Sequence, residues 1–196
     1  FEGYQALDVR RLDIMDGDEI NPRNFDLLVE WVADSKDDIV IDNGAASFVP
    51  LSHYLVSNEV PALLSDMGHE LVVHSVVTGS QALLDTVHGF AQVVSQFPDP
   101  TSFVVWLNPH WGPVEHEGKP FQEMKAYTAN KKRVSAIVEL PPMKEATFGR
   151  DVADMLQDRM TFEEALNAEA LTIMTRQRLK IFRDKVFEQL SQSGVL

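Results

Sequence analysis

Four short apolar runs, rich in β-branched residues, recur along this chain of 196 residues, and each ends in a polar or turn-forming residue. They are Ile39-Val40-Ile41 before Asp42-Asn43-Gly44, residues 70–77 before Thr78-Gly79, residues 102–107 before Asn108-Pro109, and residues 134–140 before Pro141-Pro142. Short, mostly apolar runs of this kind suit strands covered on both faces, as in a parallel sheet. Helical spacing fills the intervals. Asn21-Pro22 reads as an N-cap and first helical position ahead of Phe25, Leu28, Val29 and Val32, which predicts a helix over 22–34. Ser80 reads as the cap of a helix carrying Leu83, Leu84, Val87, Phe90 and Val94. Strands alternating with helices predict a doubly wound, mostly parallel α/β sheet with helices on both faces and right-handed crossovers.

The ends of the chain add less to this frame. Leu7, Val9, Leu12 and Ile14, in the mixed segment that starts at Phe1, suggest a short edge strand. Near the other end, Thr161 and Glu164 stand in the reciprocal positions of a capping box. The last helix places Leu179, Phe182, Val186 and Leu190 on one face and Arg176, Arg178, Lys180, Arg183 and Lys185 on the other. Such a cationic face is ordinarily solvated.

Composition narrows the function classes. A 44% hydrophobic and 24% charged chain of this length is ordinary for one globular domain with a sizeable core. The net charge of −13 argues against a general affinity for nucleic acid, which needs a basic surface to neutralise phosphates. No apolar run reaches membrane-spanning length and no signal peptide is visible. Without cysteine there is no disulfide framework, thiolate nucleophile or Cys-ligated metal, which fits a reducing cytoplasm.

The strand ends carry the candidate chemistry. In open α/β sheets ligands bind beyond the carboxyl ends of the strands. A carboxylate at Asp42, the Asn43-Gly44 turn, the Asn108 amide with Pro109, and Glu139 with Pro141 and Pro142 would all gather at that edge. Asp42 suits a hydrated Mg²⁺, which takes one or two carboxylates plus waters and phosphates. Asn108 suits a base edge through its paired donor and acceptor. The plainer account is that Asn, Gly and Pro end strands wherever they occur, and that Asp42 caps or braces a turn.

The order of Asp42 after its strand, Val76-Val77-Thr78 before a helix, Val105-Trp106-Leu107-Asn108 and Glu139-Leu140-Pro141 resembles the deviant Walker A ATPases of the ParA/MinD class. Within that class it is similar to the TraL-type proteins of plasmid conjugation, with likeness spread over nearly the whole chain. The resemblance implies a P-loop NTPase-like domain over 1–196, a Mg-dependent ATPase activity, and a bacterial cytoplasmic protein of the conjugal transfer machinery. It implies ATP and Mg²⁺ as cofactors and a nucleotide-dependent homodimer or partner switch. It gives Asp42 the role of orienting metal-bound water, and gives Asn108, Pro109, Glu139, Pro141 and Pro142 the role of holding adenine. The Gly-rich phosphate loop of that class is absent from this sequence. The resemblance places it in a strand–loop–helix–strand unit ahead of Phe1, so the expectation is a domain lacking that unit. Asn43-Gly44-Ala45 also stands where the class usually has Thr and Pro.

Two further features invite a different class of function, a non-catalytic interaction module on a nucleotide-binding scaffold. The loop from Asn108 to Glu117 carries Trp111 with two His and two Glu, in no standard metal spacing, and suits a lid or partner surface. The cationic face of the last helix suits an acidic partner or DNA. His74, inside an apolar run, reads as a satisfied core histidine.

Overall fold

The computed structural model describes residues 3–194, Ala45 by its main chain only. In chain order, an antiparallel ribbon of β1 (Met15–Asp16) and β2 (Glu19–Ile20) leads through a 3₁₀ turn (Pro22–Phe25) into α1 (Asp26–Asp34). Asn21 Oδ1 accepts the Arg23 N–H at 3.1 Å, the cap expected from its sequence position. Then come α2 (Ala45–Ser57), α3 (Val60–Asp66), β3 (Val72–Thr78), α4 (Leu83–Gln96) and β4 (Ser102–Asn108). A small ribbon, β5 (Glu115–His116) and β6 (Lys119–Pro120), precedes α5 (Lys125–Asn130) and β7 (Val134–Glu139). The chain closes with α6 (Arg150–Gln157), α7 (Phe162–Asn167) and α8 (Ile173–Ser193).

The central sheet is parallel, in the order β3-β4-β7. Side chains alternate across β4 as the pleat requires. Phe103, Val105 and Leu107 enter the main core with Phe90 and Val94 of α4, Leu28 of α1 and Leu51 and Leu55 of α2. Burying a side chain such as Phe90 or Phe103 contributes roughly 2–3 kcal/mol each. Val104 and Val138 point the other way and are also fully buried, on the face where α8 lies against β7. Met155, Ala165 and Leu179 form a smaller apolar cluster that joins α6, α7 and α8. The Thr161–Glu164 capping box is present in full, and the Thr161 N–H and hydroxyl, both donating to Glu164 Oε2 at 2.9 Å, hold the Glu164 carboxyl below its ordinary range.

Three of the four apolar runs are therefore strands, and the first is not. Ile39-Val40-Ile41 has no regular secondary structure and no strand partner, with Val40 87% exposed, so Asp42 does not end a strand. The reason is physical: a strand needs a hydrogen-bonded neighbour, and β propensity alone supplies none. The edge strand expected over residues 7–14 is likewise absent. Its place is taken by the β1–β2 ribbon just beyond, with Leu12 and Ile14 packed on the core, while Phe1 and Glu2 lie outside the described residues.

Other expectations need smaller corrections. Ser80 has φ +65° and makes no side-chain cap; Thr86 Oγ1 instead accepts the Thr78 N–H at 3.1 Å and ties the strand end to α4. His74 is not in the core. It stands partly exposed on the sheet face and partly buried against it, and its Nδ1 accepts the Trp106 indole N–H at 2.8 Å. The cationic face of α8 is largely paired within the chain: Arg178 with Asp151, Lys180 and Arg183 with Asp184, and Arg176 on the Ala168 carbonyl.

Candidate functional site

The carboxyl ends of β4 and β7 open into a cleft of about 530 Å³. Each wall has a local cause. Asn108 Oδ1 accepts the His110 N–H at 3.0 Å, an Asx turn that swings the chain out of β4. A second turn closes with Gly112 N–H on Pro109 O at 3.1 Å. The resulting loop packs against the end of β3 so closely that a Cβ on Gly79 would lie 2.0 Å from Gly112 O. Glu117 and Gly118, both at positive φ, then make the tight turn between β5 and β6. Beyond β6, Phe121 is fully buried and meets the Phe90 ring edge-on, which fixes the adjacent Gln122 at the cleft.

The opposite wall is the end of β7. The ladder runs one residue past the strand, with Leu140 N–H on Leu107 O at 2.9 Å, and stops at Pro141-Pro142. Gln122 Nε2 donates to Glu139 Oε1 at 3.1 Å. From α8, Gln189 accepts the Glu139 N–H at 2.6 Å and donates to the Glu139 carbonyl at 2.7 Å. Glu139 is thus held by its side chain on one side and by its main chain on the other. A second depression of about 400 Å³ adjoins the cleft, sharing Glu139, Leu140 and Pro142 and bounded by Lys185, Gln189 and Gln192.

Of the residues singled out from the sequence, Pro109, Glu139 and Pro142 line the cleft and Pro141 lines the adjoining depression. Asn108 shapes the cleft and is not among its lining residues; its side-chain Oδ1 accepts from the His110 N–H and its main-chain carbonyl from the Gly79 N–H. Asp42, Asn43 and Gly44 stand apart. Asp42 is exposed, while Gly44 is the N-cap of α2, its carbonyl accepting from Phe48 N–H at 3.1 Å. Among the described residues no three His, Cys, Asp or Glu side chains converge as a metal site would require. Gln122 and Gln189 were not legible as site residues. Neither lies in a motif, and only the folded chain brings them to Glu139. The histidine and tyrosine whose titration the fold displaces lie outside the cleft lining: His74, pushed down by burial, and Tyr54, pushed up to about 12 by burial and by its bond to Asp26.

Comparison with known proteins supplies the family. Two Escherichia coli proteins, each named Protein TraL, are 71% and 70% identical to this chain over all 196 residues, and the chain spans 81% of each. The chain belongs to the TraL family. A third likeness, 26% identical over 83 residues, is to a 1-deoxy-D-xylulose-5-phosphate synthase of Caldanaerobacter subterraneus; it covers 42% of the chain and 13% of that enzyme, too little to transfer a role to a TraL protein. No family model and no solved structure matches the chain. Among the described residues of this TraL protein, no helix is long and apolar enough to cross a membrane.

Proposed function

We propose that this TraL-family protein serves plasmid conjugal transfer as an adenine-nucleotide-responsive switch of the ParA/MinD type. The base would sit in the cleft between Pro109 and Pro142, and its occupancy would change pairing with a second copy or with a transfer-machinery protein. The observation that carries this reading is the cleft itself. It lies at the carboxyl edge of a parallel sheet, its volume falls in the usual range for small-molecule sites, and apolar walls surround a few polar groups. Pro109, Glu139, Pro141 and Pro142 are the proposed base-holding residues, and Asn108 sets the turn beneath them.

Mg²⁺ would fall to Asp42. That carboxylate is exposed and does not line the cleft, and among the described residues it belongs to no group of three His, Cys, Asp or Glu side chains that could hold a metal. The described residues therefore do not build a metal site, and no hydrolytic step is assigned. The proposal rests on binding. Calorimetric titration with Mg-ATP should give saturable binding, and size-exclusion chromatography with and without nucleotide should shift. Absence of heat up to about 1 mM nucleotide, the weak end of specific affinities, sinks the proposal.

One observation favours the interaction-module reading. Trp111 is 69% exposed on a loop whose flanking residues are anchored by the Asn108 turn and the Gly79 contact. A large apolar ring held out on a fixed loop is suited to partner docking. Under that reading Trp111→Ser abolishes capture of a transfer protein in a cell that carries the plasmid, and Mg-ATP changes nothing.

A further inference from the structure

Among the described residues the central sheet ends at β3, and that edge is unpaired. Ser102 N–H on Leu71 O and Gly79 N–H on Asn108 O turn the odd-numbered main-chain groups of β3 toward β4. The N–H and C=O groups of Val72, His74 and Val76 therefore point outward, and among the described residues no hydrogen bond takes them up. Their side chains share one face of the sheet, where Val76 is 51% exposed. Sheet edges are ordinarily guarded by charge, proline or a bulge. The β7 side has such guards, since Lys131, Lys132 and Arg133 precede that strand and Glu139 ends it. The β3 side has none. No Asp, Glu, Lys or Arg lies between Glu70 and Asp85, and the β3–β4 register runs without a bulge.

We propose that β3 docks on β3 of a second copy, antiparallel across a two-fold axis at His74, and so doubles the three-stranded sheet. The outward residues read Val-His-Val in either direction. Val72 thus meets the partner's Val76, His74 meets the partner's His74, and every outward row is hydrogen-bonded. The neighbouring registers are worse. One sets Thr78, whose N–H already goes to Thr86, against Val72; the other sets the Glu70 carboxylates against Val76. Charge favours a second copy over another occupant. Each copy carries −13, and a strand without a carboxylate lets two acidic chains meet without like charges in opposition. A basic partner, which that net charge would attract, finds no carboxylate along the strand. Burial pushes the His74 imidazole below its ordinary pKa, so the two facing rings are uncharged at neutral pH. The contact goes beyond the nucleotide switch and does not involve the cleft, so either can fail while the other stands.

Sedimentation equilibrium of the 196-residue chain, up to about 1 mM, should show reversible association to twice the chain mass. Val76→Lys sets two ammonium groups into the paired rows and should raise the dissociation constant at least about tenfold. Val40→Lys makes the same change of net charge at an 87% exposed valine outside the sheet and should leave the constant within about twofold. The chain has no cysteine, so a single introduced thiol reports the register. In His74→Cys the two thiols face each other with Cα atoms about 5.5 Å apart, within disulfide range; in Val76→Cys they stand about 13 Å apart along the strands. Mild oxidation should link the first at least about tenfold faster than the second. A chain that stays monomeric up to about 1 mM overturns the inference and leaves the edge to a strand of another protein or of a longer form of this one. Equal weakening by Val40→Lys and Val76→Lys, or equal cross-linking through the two thiols, overturns it as well, because the copies then meet elsewhere.

Discussion

Arg133 carries a stability prediction that can be worked from the structure. It lies just ahead of β7, and its Nη2 donates toward the carbonyls of Phe97, Pro98 and Thr101 at 3.0, 3.1 and 3.2 Å. Its guanidinium stands 5.2 Å from the centre of the Phe103 ring, and its Nε lies 3.1 Å from Asp99 Oδ1, an ion pair without hydrogen-bond geometry. One cation therefore pins the whole turn between α4 and β4 to the start of β7. Three acceptors share the two hydrogens of one nitrogen, so the contacts amount to about two charge-assisted bonds, each contributing ~1.5 kcal/mol. Asp99 is 84% exposed, and such a pair contributes ~0.5 kcal/mol at most. Arg133→Ala should then destabilise by about 3 kcal/mol, and in a domain of this size lower Tm by roughly 6–12 °C. Urea unfolding followed by circular dichroism measures it, alongside Arg133→Lys and Asp99→Ala. Lysine should recover about half, since an ammonium reaches some of the carbonyls but cannot span all three. Asp99→Ala should cost less than about 1 kcal/mol. If Asp99→Ala costs as much as Arg133→Ala, the ion pair and not the carbonyl clamp is the source, and the reasoning is refuted.

Three other perturbations follow from single contacts. Tyr54 donates to Asp26 Oδ1 at 2.6 Å, and its hydroxyl pKa is pushed up to about 12 from 10.0. That contribution is whole below pH 10 and lost as pH rises through 12, so Tyr54→Phe should cost ~1 kcal/mol at pH 8 and progressively less above pH 10 in urea midpoints. His74 is pushed below 6.5 by burial, and its Nδ1 must stay unprotonated to accept from Trp106. Its stabilisation is present above pH 6.5 and lost as pH falls below it, so His74→Phe should flatten the decline in urea midpoint between pH 7 and 5, an effect absent if the imidazole is idle. Gly79→Ala would set a Cβ 2.0 Å from Gly112 O and 2.6 Å from Pro113 O, both main chain, so the loop must shift at a cost of about 1–3 kcal/mol. Gly89→Ala in α4 meets nothing within 4 Å and should stabilise by ~0.5–1 kcal/mol; equal effects from the two would show that the tight loop contact is not formed.

What could be read from the sequence was what neighbours in the chain decide. The Asn21 cap, the capping box at Thr161 and the apolar face of α8 with Leu179 and Val186 depend on spacings of two to seven residues, and all are present. The runs at 72–78, 102–108 and 134–139 became strands, whereas Ile39-Val40-Ile41, with the same β-branched pattern, did not. Pattern records a preference for a pleated, buried surface, but pairing is supplied by another part of the chain. The same division runs through the site. Pro109 and Glu139–Pro142 were findable because strand ends define them, but Gln122 and Gln189 reach Glu139 across 17 and 50 residues. Asp151 reaches Arg178 across 27, which is why a face that reads as free cation is spent inside the fold.

The two outer strands show how this fold stabilises its cleft without a full sheet around it. Ser102 N–H on Leu71 O and Gly79 N–H on Asn108 O place the odd-numbered residues of β3 against β4, so its even-numbered main-chain groups face the open edge. There Thr86 Oγ1 takes up the Thr78 N–H, at the carboxyl end of the strand. On the far side, the Gln189 amide presents to Glu139 the donor and acceptor that a neighbouring strand would present, again at the carboxyl end. Side chains from α4 and α8 thus substitute for missing strand neighbours where the cleft opens. Each substitute belongs to a helix, so the two Gln189 bonds tie α8 to the Glu139 main chain at the edge of the cleft.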